Sequence, residues 1–201
     1  FRKYKPILIN RNTRSGTGIL TEDDYDLFVK GEKFVSYVML ASAFKRGEFQ
    51  CISYPRDLHV FEGPKIVAPQ RSKKNTFGYN EIPWYASADV YFITQVDNEV
   101  DLKYILSLLN SKLYYSWLYH KGKRKGETLE LYQKPLSEIP IKKISLKDQK
   151  PFINLADQIL TAKKANPQAD TTALEAEIDQ LVYELYGLTE EEITIVEETV
   201  G

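Results

Sequence analysis

Two short stretches of the chain carry side chains suited to gripping a polyanion. The first is Arg71-Ser72-Lys73-Lys74-Asn75, just after Lys65, and the second is Lys121-Gly122-Lys123-Arg124-Lys125-Gly126. Lysines neutralise phosphates, arginine can also fork onto a guanine edge, and Asn and Ser can reach base edges. Arg71 and Arg124 are the better candidates for such a guanine contact. Arg11 and Arg14, in the polar run from Asn10 to Gly18, are further DNA-contact candidates. Phe77, Tyr79, Trp84 and Tyr85 could stack on bases or simply fill a core, and the residues themselves leave both readings open.

Catalytic templates fit poorly. Gly122-x-x-x-Gly126 is one residue short of a phosphate loop and is followed by Glu127-Thr128, so the phosphate-reaching lysine is missing. Gly16-x-Gly18 has Thr21 where a dinucleotide fingerprint needs its third glycine. The acids Glu22, Asp23, Asp24 and Asp26 do not make a calcium loop, because Val29 holds the glycine position. His59 and His120 have no evident partner, and Glu62-Gly63-Pro64-Lys65 is one residue too long for a metal-nuclease Glu-x-Lys. No catalytic residue and no metal ligand is assigned.

The 201 residues hold 27 Lys+Arg and 28 Asp+Glu, a formal charge of −1, with 43% hydrophobic residues, one Cys and two His. That composition suits one globular domain, or one with an appendage. It excludes an internal disulfide framework and a zinc cluster. No apolar run approaches the roughly 18 residues of a membrane span. The start, Phe1-Arg2-Lys3-Tyr4-Lys5, is neither an initiator Met nor a signal peptide, so a fragment of a longer cytoplasmic protein is expected. Near-neutrality hides a division. Residues 1–150 carry 25 − 17 = +8, and residues 151–201 carry 2 − 11 = −9. Either a nucleic-acid-facing part is joined to a differently employed tail, or acidic amphipathic helices happen to end the chain.

The elements that must position the basic stretches are legible in part. Strand candidates are Ile7–Ile9, Leu58–Phe61, Lys65–Ala68, Trp84–Ala86, Val90–Ile93 and a short run around 128–132. Thr21 could cap a short helix, and Phe34–Phe44 is ambiguous between helix and strand. Asp101 is a plausible N-cap for one long helix in which Leu102, Ile105, Leu106, Leu109 and Leu113 form one face. Tyr104, Leu108, Tyr115 and Tyr119 form a more aromatic second face. The second basic stretch reads as a glycine-bounded loop after it, and Lys134–Pro140 reads as a stop. The acidic end reads as a helical hairpin with stripes Phe152/Leu155/Ala156/Ile159/Leu160 and Leu174/Ile178/Leu181/Val182/Leu185. Asn166-Pro167 breaks between them, Gly187 caps, and Thr189-x-x-Glu192 opens a last helix.

Four stretches occur in a telling order: Pro64–Ser72, Asp89–Thr94, Leu106–Leu113 with its Leu109-Asn110-Ser111-Lys112 core, and Pro135–Ile141. This series resembles the TaqI-like C-terminal specificity domain, the target recognition domain of adenine-N6 DNA methyltransferases and fused type II restriction-modification enzymes. The tail from Ala173 to Glu197 is similar to the helical end of the same enzymes. The resemblance covers about residues 50–200 and leaves the role of residues 1–50 open. It implies an α+β architecture: a β-rich target recognition domain over 1–145 and a C-terminal helical segment over 146–201. It also implies sequence-specific recognition of double-stranded DNA, positioning a target adenine for a catalytic domain of the same polypeptide that uses S-adenosylmethionine. The Asn/Asp-Pro-Pro-Tyr/Phe motif of that catalytic half is absent here, since the only Asn-Pro is Asn166-Pro167-Gln168. No cofactor is therefore expected in this fragment, and the parent could also be fused to an endonuclease. The alternative is a protein-interaction or subunit-assembly module akin to a piece of a type I specificity subunit.

Overall fold

In the computed structural model the described residues are 2–4 (backbone), 63–82, 90–94, 98–131 and 133–200. The strand, loop and helix expectations at 7–9, 10–18, 21–28, 34–44, 58–61 and 84–86 lie outside them. The fold is mixed α+β, as expected: helices packed with two small antiparallel sheets.

The first sheet has the order β1 (Arg2–Tyr4), β5 (Val90–Thr94), β2 (Lys65–Pro69), β4 (Gly78–Asn80). The two strands expected around 65 and 90 are its centre, paired antiparallel with Ile66 opposite Ile93 and Ala68 opposite Tyr91. All four of those side chains are buried. Lys65 is buried too, which removes it from the basic surface. Its ammonium donates to the carbonyls of Gly63 and Ile82, both at 2.8 Å, and burial pulls its pKa down.

The long helix expected after Asp101 is two helices, α1 (Leu102–Asn110) and α2 (Lys112–Lys121). The apolar period runs through the break, so periodicity alone does not report it. Asp101 caps α1 as expected, its carboxylate accepting from the Lys103 N–H at 2.7 Å. Ser111 then leaves the helical region, with φ −71° and ψ 159°, and serves both ends. Its N–H donates to Leu108 O, and its side chain sits at the N-terminus of α2. The carbonyls exposed by the break are taken by Asn75, whose amide donates to Leu109 O at 2.7 Å and Ser111 O at 2.8 Å. Asn110 pairs its side-chain amide with the backbone of Phe77 in both directions, at 2.9 and 3.0 Å. The Leu-Asn-Ser core is thus a socket for the segment after the first basic stretch.

The stop expected at Lys134–Pro140 begins as a short helix, α3 (Gln133–Ser137). The acidic end follows its pattern: α4 (Leu146–Ala165), α5 (Thr172–Tyr186) and α6 (Glu190–Val200). Gly187 takes φ +67°, and the Gly187 and Leu188 N–H groups return to Glu184 and Tyr183. Thr189 and Glu192 exchange capping-box hydrogen bonds at 2.9 and 3.3 Å. One buried cluster joins the first sheet, α1, α4 and α5. Tyr104 meets Phe152 edge to face at 5.2 Å. Gln149, fully buried, accepts from the Asp101 N–H and donates to Glu99 O and Ile144 O, which locks the first turn of α4 to the start of α1.

Asp179 of α5 is buried and accepts from the Lys112 N–H at 2.8 Å, so α5 caps the N-terminus of α2. Burial pushes its carboxyl up to about 6, with Glu197 and Glu175 adding and the Lys112 N–H and charge opposing. A folded-state pKa above the unfolded value means that folding is helped as pH falls through the window from about 6 to 4. The ionised form carries a penalty above that window. Asp179→Asn keeps an acceptor and cannot ionise. It should therefore match the parent chain near pH 4 and exceed it by about 2 kcal/mol at pH 8 in denaturant titrations. A stability difference independent of pH would contradict this.

Candidate nucleic-acid interface

The two basic stretches, some fifty residues apart in sequence, meet on the second sheet. Its order is β3 (Arg71–Ser72), β7 (Thr128–Glu130), β6 (Lys123–Lys125), all antiparallel. The second stretch is therefore an edge strand and hairpin where a loop was expected. Lys123–Lys125 pairs with Thr128–Glu130 across the two-residue turn Gly126-Glu127, in which Gly126 supplies the positive φ of +61°. At its other end the strand leaves α2 through Gly122, whose N–H donates to Leu118 O. A Cβ on Gly122 would collide with that same carbonyl. The strand is pinned at both ends.

Register does the rest. Glu130 lies opposite Arg71 on one side and Lys123 on the other. Its carboxylate, only 6% exposed, accepts from Arg71 Nε at 3.3 Å and lies 3.1 Å from Lys123 Nζ. Lys123 first, and then Arg71, hold it below the usual carboxylate range against the opposing effect of burial. One buried anion thus fixes two exposed cations, and the rest of the cluster exceeds it in charge. Leu129, one residue back, points to the opposite face and is buried. Arg124 is on that side as well, with its guanidinium carbon 3.8 Å from the centre of the Tyr119 ring.

Lys73 and Lys74 are exposed at the bend after β3, and Lys121 and Lys125 are exposed at the end of α2 and the hairpin turn. Ser72 is half-buried, its hydroxyl 3.2 Å from that of Thr76. Asn75 does not join this surface. Both amide donations go into the α1–α2 break, so it anchors the Lys73–Lys74 bend and cannot reach a base. Phe77 is core, and Tyr79 is partly buried beneath Lys103 at 5.3 Å, so both take the core reading. Arg11, Arg14, Trp84 and Tyr85 lie outside the described residues.

Neither Glu130 nor the contact between Arg124 and the Tyr119 ring was singled out by the sequence. A lone acid in a short strand has no signature until the register places cations on both sides of it. Tyr119 was visible only as one member of an aromatic helix face.

Helix α2 also separates the two charge zones. Its N-terminal end meets Asp179 and Glu197, the latter through Lys112 at 2.5 Å, and its last turn carries His120 and Lys121 into the basic hairpin. Acid at the N-terminus and base at the C-terminus both suit the helix dipole. Ten residues put the zones about 15 Å apart. Among the described residues, no group of His, Cys, Asp and Glu is placed to hold a metal ion. No described helix is long and apolar enough to cross a membrane.

The described residues form an α+β unit that carries a basic three-stranded sheet beside a helical scaffold. The family model for the TaqI-like C-terminal specificity domain matches residues 27–141, and the chain belongs to that family. It is 34% identical over 109 residues to the Type II methyltransferase M.HincII of Haemophilus influenzae, covering 49% of this chain and 22% of that protein. Over 94 residues it is also 34% identical to the Type II methyltransferase M.HindII of Haemophilus influenzae (strain ATCC 51907 / DSM 11121 / KW20 / Rd), covering 43% and 18%. The chain thus spans about a fifth of the length of these curated relatives. Its fold is similar to part of the Type IIL restriction-modification enzyme MmeI, solved in complex with DNA. The TM-score is 0.55 at 16% identity, covering 79% of this chain and 23% of that one.

Proposed function

We propose that this chain is the DNA target recognition part of a restriction-modification or adenine-N6 DNA methyltransferase polypeptide. In this reading it grips duplex DNA with the β3–β7–β6 sheet and the Lys73–Lys74 bend. The observation that carries the reading is the meeting of Arg71 and Lys123 on one buried carboxylate, in a three-stranded sheet whose hairpin also carries Arg124 and Lys125, in a member of a specificity-domain family. Lysines of the cluster meet phosphates and set the register, and an arginine reads a base edge in the major groove. The catalytic half, with its S-adenosylmethionine site, belongs to the rest of the polypeptide. The acidic face of α5 and α6 faces away from the duplex, where repulsion costs nothing, and packs on that catalytic half or another subunit. The functional boundary stays near residue 145, although the two parts share a core. The compartment is that of the DNA, the cytoplasm.

A titration of a short labelled duplex with the chain tests this. Binding is expected at about 50 mM salt, weakening steeply towards about 200 mM. Salt-sensitive capture of a protein partner, with no binding to duplex at low salt, would favour the assembly-module reading instead.

A further inference from the structure

Two arginines of the sheet can fork onto a guanine, and the structure treats them differently. Arg71 is drawn to Glu130, which engages its Nε at 3.3 Å and pins it beside Lys123. Among the described residues no acid lies within ion-pair distance of Arg124 and no hydrogen bond engages it. What holds Arg124 is a ring. Its guanidinium carbon stands 3.8 Å from the Tyr119 centroid, a separation at which a planar group lies over the ring face. Tyr119 is itself held, edge to face with His120 at 5.1 Å and tilted against Tyr115 at 5.9 Å. The strand bearing Arg124 is fixed by Gly122 and Gly126 on either side.

Stacking covers the face of a guanidinium and leaves its N–H edge available. An arginine with a fixed plane and uncommitted donors has already lost the rotamer freedom that a two-pronged contact costs. We infer that Arg124 is the base-reading residue of this interface, with Tyr119 its positioning platform, while Arg71, Lys123 and Glu130 tie the same strands together on the other face of the sheet. This rests on the DNA-recognition reading above and deepens it: the site takes a guanine edge in the major groove, through O6 and N7. Lysine at position 124 would keep the charge and lose the fork.

The test is selection from a duplex library with a randomised centre, using the 201-residue chain and four variants. The parent chain should enrich a sequence set containing an invariant guanine. Arg124→Lys should lose preference at that one position by about ten- to hundredfold, with the other positions and the salt slope kept. Tyr119→Leu should weaken the same position alone, Tyr119→Phe should restore it, and Arg71→Lys should leave it in place. Thermal melting confirms that each variant is folded. An unchanged preference in Arg124→Lys overturns the inference. So does an equal loss on all sequences, which marks a phosphate contact, and so does loss of the guanine in Arg71→Lys. If the parent chain enriches no sequence, the DNA-recognition reading itself fails, and this shows before any substitution is compared.

Discussion

An Asn75→Ala chain is expected to lose about 2–3 kcal/mol of stability, although Asn75 lies within a run of cations that the sequence assigns to DNA contact. The substitution removes two buried donations, to Leu109 O and Ser111 O, and leaves those carbonyls without their partner. A net hydrogen bond is worth about 1 kcal/mol, and a stranded buried acceptor costs about as much again. Asn75→Asp should be no better, since it sets an acceptor against two acceptors. Both should lower the urea midpoint with an unchanged slope. DNA binding should fall in parallel, because the anchored Lys73–Lys74 bend is released. A stability within about 0.5 kcal/mol of the parent for Asn75→Ala would mean that the α1–α2 break stands without its plug.

The second large effect is on DNA binding. Replacing Lys123, Arg124 and Lys125 together by Ala removes three cations from a strand whose side chains are exposed. The strand's hydrogen-bonding partner β7 stays in place, and Leu129 remains buried beneath it. The sheet should therefore persist with a modest loss of stability, since Arg71 alone is left to engage the buried Glu130, while affinity for duplex DNA at low salt falls on the order of a hundredfold. Lys123→Ala alone should cost less affinity, because Arg124 and Lys125 remain on the strand.

Much of this was legible in the sequence, for identifiable reasons. The acidic hairpin was readable because its signals are local: an apolar stripe, a left-handed glycine at 187, and a capping box at 189–192. The sheet centre was readable because β-branched and aromatic residues cluster at 65–68 and 90–93. The break at Ser111 was not, because it is imposed from thirty-odd residues away by Asn75 and Phe77 while the Leu period runs on undisturbed. Both basic stretches were identified, but not their union. Register places Arg71 and Lys123 opposite the same Glu130, and register is a property of paired strands. For the same reason Asn75 and Lys65 were grouped with the cations by proximity in sequence, whereas burial assigns them to the scaffold.

Duplex phosphates are expected to land on the basic sheet, and the salt dependence of binding tests this most directly. The logarithm of the binding constant of the parent chain should fall linearly with the logarithm of salt concentration. In the Lys123/Arg124/Lys125→Ala chain that slope should be shallower by about 0.9 for each phosphate contact removed. A folded variant that binds duplex DNA with the same affinity and the same salt slope as the parent would contradict the account.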